Sequence, residues 1–226
     1  MKYYQLTNSS NCDEVGIFPQ CTEARNIYNI QEWGLGNYEA IQKDFILPEP
    51  ILRKKTITTN LLGVIPIDSL TFKVVDDSLL FFLATCNRGP YQSWKLKTYT
   101  SNGNIINLYN LFHLSSPVQD ELIDFSKSKF LVSNFQQENF GVVTFNNYAE
   151  YHKMWLEVLW EAKFIKYDEL HLSFDNFRQD LFRINNLREL SGYYVSDRLR
   201  DAIIEKGFTG FSYKGLESNN KLKISH

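Results

Sequence analysis

The sequence predicts an α+β protein, a mixed or largely antiparallel sheet or sheets packed with a few amphipathic helices. Three observations carry that reading. Strand-like and helix-like runs are interspersed without the regular alternation of a βαβ fold. Within Asn146–Phe164, the residues Tyr148, Tyr151, His152, Trp155, Val158, Leu159 and Ala162 recur at helical spacing and form one strong apolar face. The closing stretch, Ser191–Tyr213, reads as strand, cap, helix, cap and strand.

A chain of 226 residues can bury a substantial core. It is 43% hydrophobic and 22% charged, a globular balance, and its 17 Phe and 13 Tyr predict a core rich in aromatic rings. The expected organisation is one globular domain over 1–226, with room for two lobes at about 1–115 and 116–215. The tail, 216–226, is polar and is expected to fray.

In chain order, Lys2–Leu6 reads as an opening strand and Asn8–Asn37 as irregular, with an aromatic, turn-prone loop at Trp33–Tyr38. Pro48 and Pro50 forbid a continuous helix through Asp44–Lys55. Strands are expected at Leu61–Ile67, Leu70–Val75 and Leu79–Thr85, with Asp76 and Asp77 as the turn before the last of them. Cys86–Trp94 reads as a loop, Lys95–Thr100 as an alternating strand and Ser101–Asn104 as a turn. Asn104–Leu114 fits strand and helix equally. Ser116, Pro117 and Gln119 have the order of a cap, first-turn proline and capping-box partner, so a helix is expected to run on through Phe125. Strands follow at Lys129–Ser133 and Gly141–Phe145, then the long amphipathic helix, then strands at Leu170–Phe174 and Leu181–Ile184.

The closing unit is the most fully specified. Tyr193, Tyr194 and Val195 suit a strand, and Ser196 stands where an N-cap belongs. Leu199, Ala202 and Ile203 share one helical face, and Gly207 is placed to end the helix in the left-handed conformation. Phe208 would then pack back on Ile203, Thr209 and Gly210 would turn the chain, and Phe211–Tyr213 would alternate as a strand. None of these residues pairs a nucleophile with a base, so the unit reads as structural.

The 24 basic and 26 acidic residues are well mixed, for a net charge of −2, which gives no electrostatic case for nucleic-acid binding. No apolar run approaches membrane-helix length, and the N-terminus turns polar too early for a signal peptide. Three cysteines without metal-ligand pairing point to reduced thiols and a cytoplasmic location, with a Cys12–Cys21 disulfide as the alternative. No two of His113, His152, His171 and His226 have metal-ligand spacing, and no glycine loop suits a phosphate, so neither metal nor cofactor is expected. His152, on the aromatic helix face, reads as a packed histidine. Residues suited to a protein interface are Arg88, Tyr91 and Trp94 in one loop, and Trp33 and Tyr38 in another; Arg, Tyr and Trp dominate interface hot spots. They could equally be core aromatics.

The pattern running through Leu181–Arg183, Ser196, Leu199, Gly207, Phe208, Thr209, Gly210 and Phe211 resembles the C-terminal signature of a family of immunity proteins from bacterial polymorphic toxin systems. That family was formerly a domain of unknown function. The segment "DFILPEPI" echoes its N-terminal half. The resemblance implies a cytoplasmic α+β protein, without catalytic residues, that binds and neutralises a cognate toxin domain. Such toxins pass between cells by contact-dependent or type VI routes. It implies neither a nucleic-acid nor a membrane partner, and leaves the oligomeric state open. The alternatives are a small α+β enzyme, a transferase or hydrolase, and an interaction subunit unconnected with immunity.

Overall fold

The computed structural model describes residues 1–27, 40–41, 46–65, 67, 72–115, 118–136, 138–187 and 190–225. Among them the chain forms 16 strands in four mostly antiparallel sheets, with five helices, so the fold is α+β. Trp33, Tyr38, Ser116, Pro117 and His226 lie outside the described residues.

The opening strand and the closing unit meet in one sheet. β1 (Tyr3–Asn8) lies between β14 (Gly192–Ser196) and β15 (Phe211–Gly215), and β13 (Leu181–Ile184) pairs with the far side of β14. All these pairs are antiparallel. The opening and closing strands were legible in the sequence, and their pairing explains why both are rich in tyrosine. Tyr3 stacks on Phe174 at 4.5 Å and meets Phe182 edge-on at 5.3 Å, and Phe182 stacks on Tyr194 at 5.3 Å. The expected aromatic core is present.

The first half of the chain supplies two further sheets. One is ordered β2 (Cys21–Arg25), β3 (Glu49–Leu52), β7 (Thr98–Tyr99), β8 (Ile105–Ile106). The other is β4 (Leu61–Leu62), β5 (Lys73–Asp76), β9 (Tyr109–Leu114), β6 (Tyr91–Lys95). The short helix α1 (Cys12–Val15) precedes β2. The second half forms the sheet β11 (Asn139–Val143), β10 (Lys129–Asn134), β12 (Lys163–Ser173), β16 (Leu222–Ser225), covered by helix α4 (Tyr148–Trp160). Asn147 caps α4 by accepting from the Glu150 amide at 2.9 Å, and Tyr148, Tyr151 and Val158 form its buried face.

Six expectations need correction. The run Asn8–Asn37 is not irregular throughout, since it contains α1 and β2. Leu79–Thr85 is not a strand but most of α2 (Asp77–Ala84), because the Asp76 carboxylate accepts from the Leu79 amide at 2.8 Å and nucleates a helix. Leu79 and Leu83, one turn apart, are its buried residues. Part of the expected loop Cys86–Trp94 is β6, drawn into a ladder of five residue pairs with β9. The expected strand Lys95–Thr100 breaks, since β6 ends at Lys95 and Thr98–Tyr99 joins a different sheet. The helix expected through Phe125 is only α3 (Gln119–Leu122): Val118 supplies no side-chain cap, Ile123 is already extended, and the Gln119 side chain donates through Nε2 to the Asn185 carbonyl instead. The tail does not fray throughout, because Leu222–Ser225 pairs in parallel with Leu170–Ser173.

Three clusters fill the interior. The largest joins α4 to the sheet beneath it, and another fills the space between the sheets of the first half. Between them, Leu199 and Ile203 of α5 (Asp197–Glu205) share a cluster with Leu61, Val75, Leu79 and Leu83. The closing unit therefore fastens onto the first half of the chain.

Candidate functional site

The residues of the closing signature form a clasp. Ser196 accepts from the Leu199 amide at 3.1 Å, as an N-cap should, and donates its hydroxyl proton to Asp180 at 2.7 Å. Asp180, almost wholly buried, also receives Arg198 at 2.6 Å. At the other end of α5, the Gly207 amide bonds the Ile204 carbonyl and the Phe208 amide bonds the Ile203 carbonyl, at 2.9 and 3.2 Å. These are the paired closing bonds of a Schellman stop, with Gly207 at φ +72°. Phe208 lies against Phe82 of α2, ring centroids 5.3 Å apart. Gly210, at φ +94°, passes so close to Leu61 that a Cβ would stand 2.1 Å from its carbonyl oxygen. Phe211 stacks on Tyr213 at 6.0 Å. Every matched position has a structural task.

The interface residues expected near β6 do not converge. The Arg88 guanidinium is spent on the end of α2, donating to the carbonyls of Leu83 at 3.0 Å and Ala84 at 3.1 Å. It also lies 3.8 Å above the Tyr91 ring. Tyr91 and Trp94 sit three residues apart on β6 and so face opposite ways. Tyr91 packs against the cluster that includes α5, and Trp94 against the cluster of the first half.

Chemistry-bearing side chains are occupied with one another. His113 is fully buried, with Arg183 Nη1 3.2 Å from its Nδ1. His152 stacks between Tyr148 and Trp155, at 5.8 and 5.9 Å. His171 contacts Glu169 at 3.1 Å beside a hollow of about 230 Å³ lined by Asp124, Lys127, Ser173, Asp175 and Lys223. There, hydrogen bonds from Lys127 and Ser126 pull the Asp124 carboxyl down to about 2, and the Ser173 hydroxyl donates to Asp175 at 3.0 Å. All three cysteines are free thiols, and burial pushes Cys21 up to about 12. Among the described residues, no group of three or more His, Cys, Asp and Glu could hold a metal ion. No described helix is long and apolar enough to cross a membrane.

A different surface has the chemistry of a contact site. On α4, Leu156 and Leu159 are each 39% exposed and Trp160 is 90% exposed. Leu156 is three residues from Leu159 and four from Trp160, so it neighbours both on the helix surface, whereas Leu159 and Trp160, adjacent in sequence, flank it on opposite sides. Lys153, Glu157 and Glu161 are exposed alongside and form a polar rim. No family model and no curated protein matches the chain. The surface is therefore read from its own chemistry. A solvent-facing tryptophan beside two leucines leaves apolar area in water that a partner could cover, and a tryptophan with a polar rim is how interface hot spots are built. Periodicity over Asn146–Phe164 grouped Leu159 and Ala162 with the buried tyrosines, but Leu159 is 39% exposed and Ala162 lies beyond the end of the helix. The signal for the second face was Leu156 and Trp160 one turn apart, opposite the tyrosines.

Proposed function

We propose that this protein is a cytoplasmic immunity protein that neutralises a cognate bacterial toxin domain by binding it directly. The observation that carries the proposal is the exposed Leu156, Leu159 and Trp160 face of α4. The likeness of the closing unit to the immunity family supplies the kind of partner. In this reading Trp160 enters a pocket on the toxin, the two leucines pack around it, and Lys153, Glu157 and Glu161 form the rim. Neutralisation must leave almost no active toxin, so nanomolar or tighter affinity is required, about −12 kcal/mol. A buried tryptophan anchor supplies about 2 kcal/mol or more of that when well packed. Neither catalysis nor a cofactor is needed, and neither nucleic acid nor membrane is the partner.

Co-expression tests the proposal. The partner to co-express is the C-terminal domain of any large secreted protein encoded immediately upstream, and the readout is growth followed by co-purification. Rescue of growth with a stoichiometric complex is the expected result. Rescue without a complex would assign an enzyme that reverses the damage, and the hollow beside His171 would become the place to look. No rescue would overturn the proposal.

A further inference from the structure

We propose that the partner covers Trp160 with an arginine, its guanidinium laid on the indole face and paired with the Glu157 carboxylate, so that the surface meeting α4 is basic at its centre. This rests on the reading of α4 as the toxin-binding face. Leu156 and Trp160 supply the apolar area, and the charge beside them selects what covers it.

α4 ends on an unfavourable charge. The C-terminal end of a helix is its negative end, where cations stabilise and anions do not. The last turn of α4 has no basic residue; it carries Glu157, with Glu161 at the C-cap. Glu161 is answered within the fold, since its carboxylate accepts from Lys163 Nζ at 2.7 Å. Glu157 is not. It is exposed, and its carboxylate makes no hydrogen bond or ion pair among the described residues. Lys153, four residues earlier, stands in the weaker order for a helix pair and does not close on it. A free carboxylate at this end of a helix works against local stability, and such departures from local rules are expected at functional positions.

Glu157 and Trp160 address the same space. They are three residues apart, neighbours on the helix surface, and a helical side chain leans toward the N-terminus, which directs the indole back over the turn holding Leu156 and Glu157. Trp160 is 90% exposed, and tryptophan offers the best aromatic face for a cation. A guanidinium is flat, stacks on such a face and pairs bidentately with a carboxylate, which a lysine ammonium does not. Arg200 makes the same arrangement inside this chain: its guanidinium lies 4.1 Å over the Tyr4 ring while donating to Asp201 at 2.6 Å. At Trp160 the ring and the carboxylate are present and the guanidinium is left to the partner.

The first arm of the test uses the purified full chain and a peptide of alternating arginine and glycine. The indole N–H signal of Trp160, identified by its loss in Trp160→Phe, is followed by NMR at about 20 mM salt as the peptide is added. It is expected to shift with half-saturation at about 1 mM, and Glu157→Gln should raise that about threefold or more. A lysine peptide should bind more weakly, and a glutamate peptide should leave the signal in place. No shift with the arginine peptide, an equal response to lysine, or indifference to Glu157→Gln would overturn the proposal. The second arm uses the toxin domain, where Glu157→Lys should slow association and weaken the complex about tenfold, with a smaller loss at high salt. Full affinity in Glu157→Lys would overturn the arginine contact and leave toxin binding standing. Absence of any complex beside an intact peptide response would overturn toxin binding and leave the arginine site standing.

Discussion

Asn60 holds Thr209 in place across 149 residues of chain. Its Oδ1 accepts from the Thr209 amide at 2.8 Å and from the Thr209 hydroxyl at 3.2 Å. Its Nδ2 donates to Asp76 at 2.8 Å and Ser78 at 3.2 Å, the residues that start α2. One amide therefore links the turn after α5 to the cap of α2, and the Leu61 amide adds a bond to the Thr209 carbonyl at 3.1 Å. The closing signature is the far half of this joint.

Loss of the joint should be measurable. Asn60→Ala leaves the Asp76 carboxylate and the Thr209 amide without this partner, at a cost of about 1–3 kcal/mol. Asn60→Asp should cost as much, because it replaces the donor with a second carboxylate facing Asp76. Urea denaturation of the two variants checks this, with the expected effect a lower midpoint and an unchanged slope.

The two signature glycines should respond differently. At Gly207 only the left-handed backbone resists a side chain, since nothing lies within 4 Å of an added Cβ. Gly207→Ala should cost about 1–2 kcal/mol. At Gly210 the added methyl would also strike the Leu61 carbonyl and Thr59. Gly210→Ala should cost well over that, at about 3 kcal/mol or more, or prevent folding. Comparable losses from both would contradict the clasp geometry.

Thiol titration should separate the cysteines by position. Cys12 is exposed, Cys86 half-buried and Cys21 fully buried. The thiolate is the reactive form, and burial raises both Cys86 and Cys21, the latter to about 12. With a coloured disulfide reagent near neutral pH, one thiol should react quickly and Cys86 slowly. Cys21 should react only on unfolding. Cys12→Ser should remove the fast phase, and rapid reaction of all three would contradict this packing.

Local patterns made α4 and the closing unit legible, because helix spacing and capping residues are decided within a few positions of each other. Ser196, Gly207 and Phe208 take the places their types suggested. α2 was misread because "LLFFLA" is apolar throughout and shows no period, so only the Asp76 cap distinguished helix from strand. β6 and β16 depend on distant partners, β9 and β12, which no local pattern names. The exposed apolar face of α4 was hidden for a related reason. Arg88, Tyr91 and Trp94 have hot-spot chemistry but are committed to a helix end and to two separate clusters. Trp160 lies outside the periodic set of this helix, and only the burial of Tyr148, Tyr151 and Val158 shows which side faces the core.

The most direct test is the affinity of the purified toxin domain for wild-type protein and for Trp160→Ala, measured by calorimetry with Arg88→Ala in parallel. The account predicts one-to-one nanomolar binding, weakened about 30-fold or more by Trp160→Ala and little changed by Arg88→Ala. Full affinity in Trp160→Ala would contradict it.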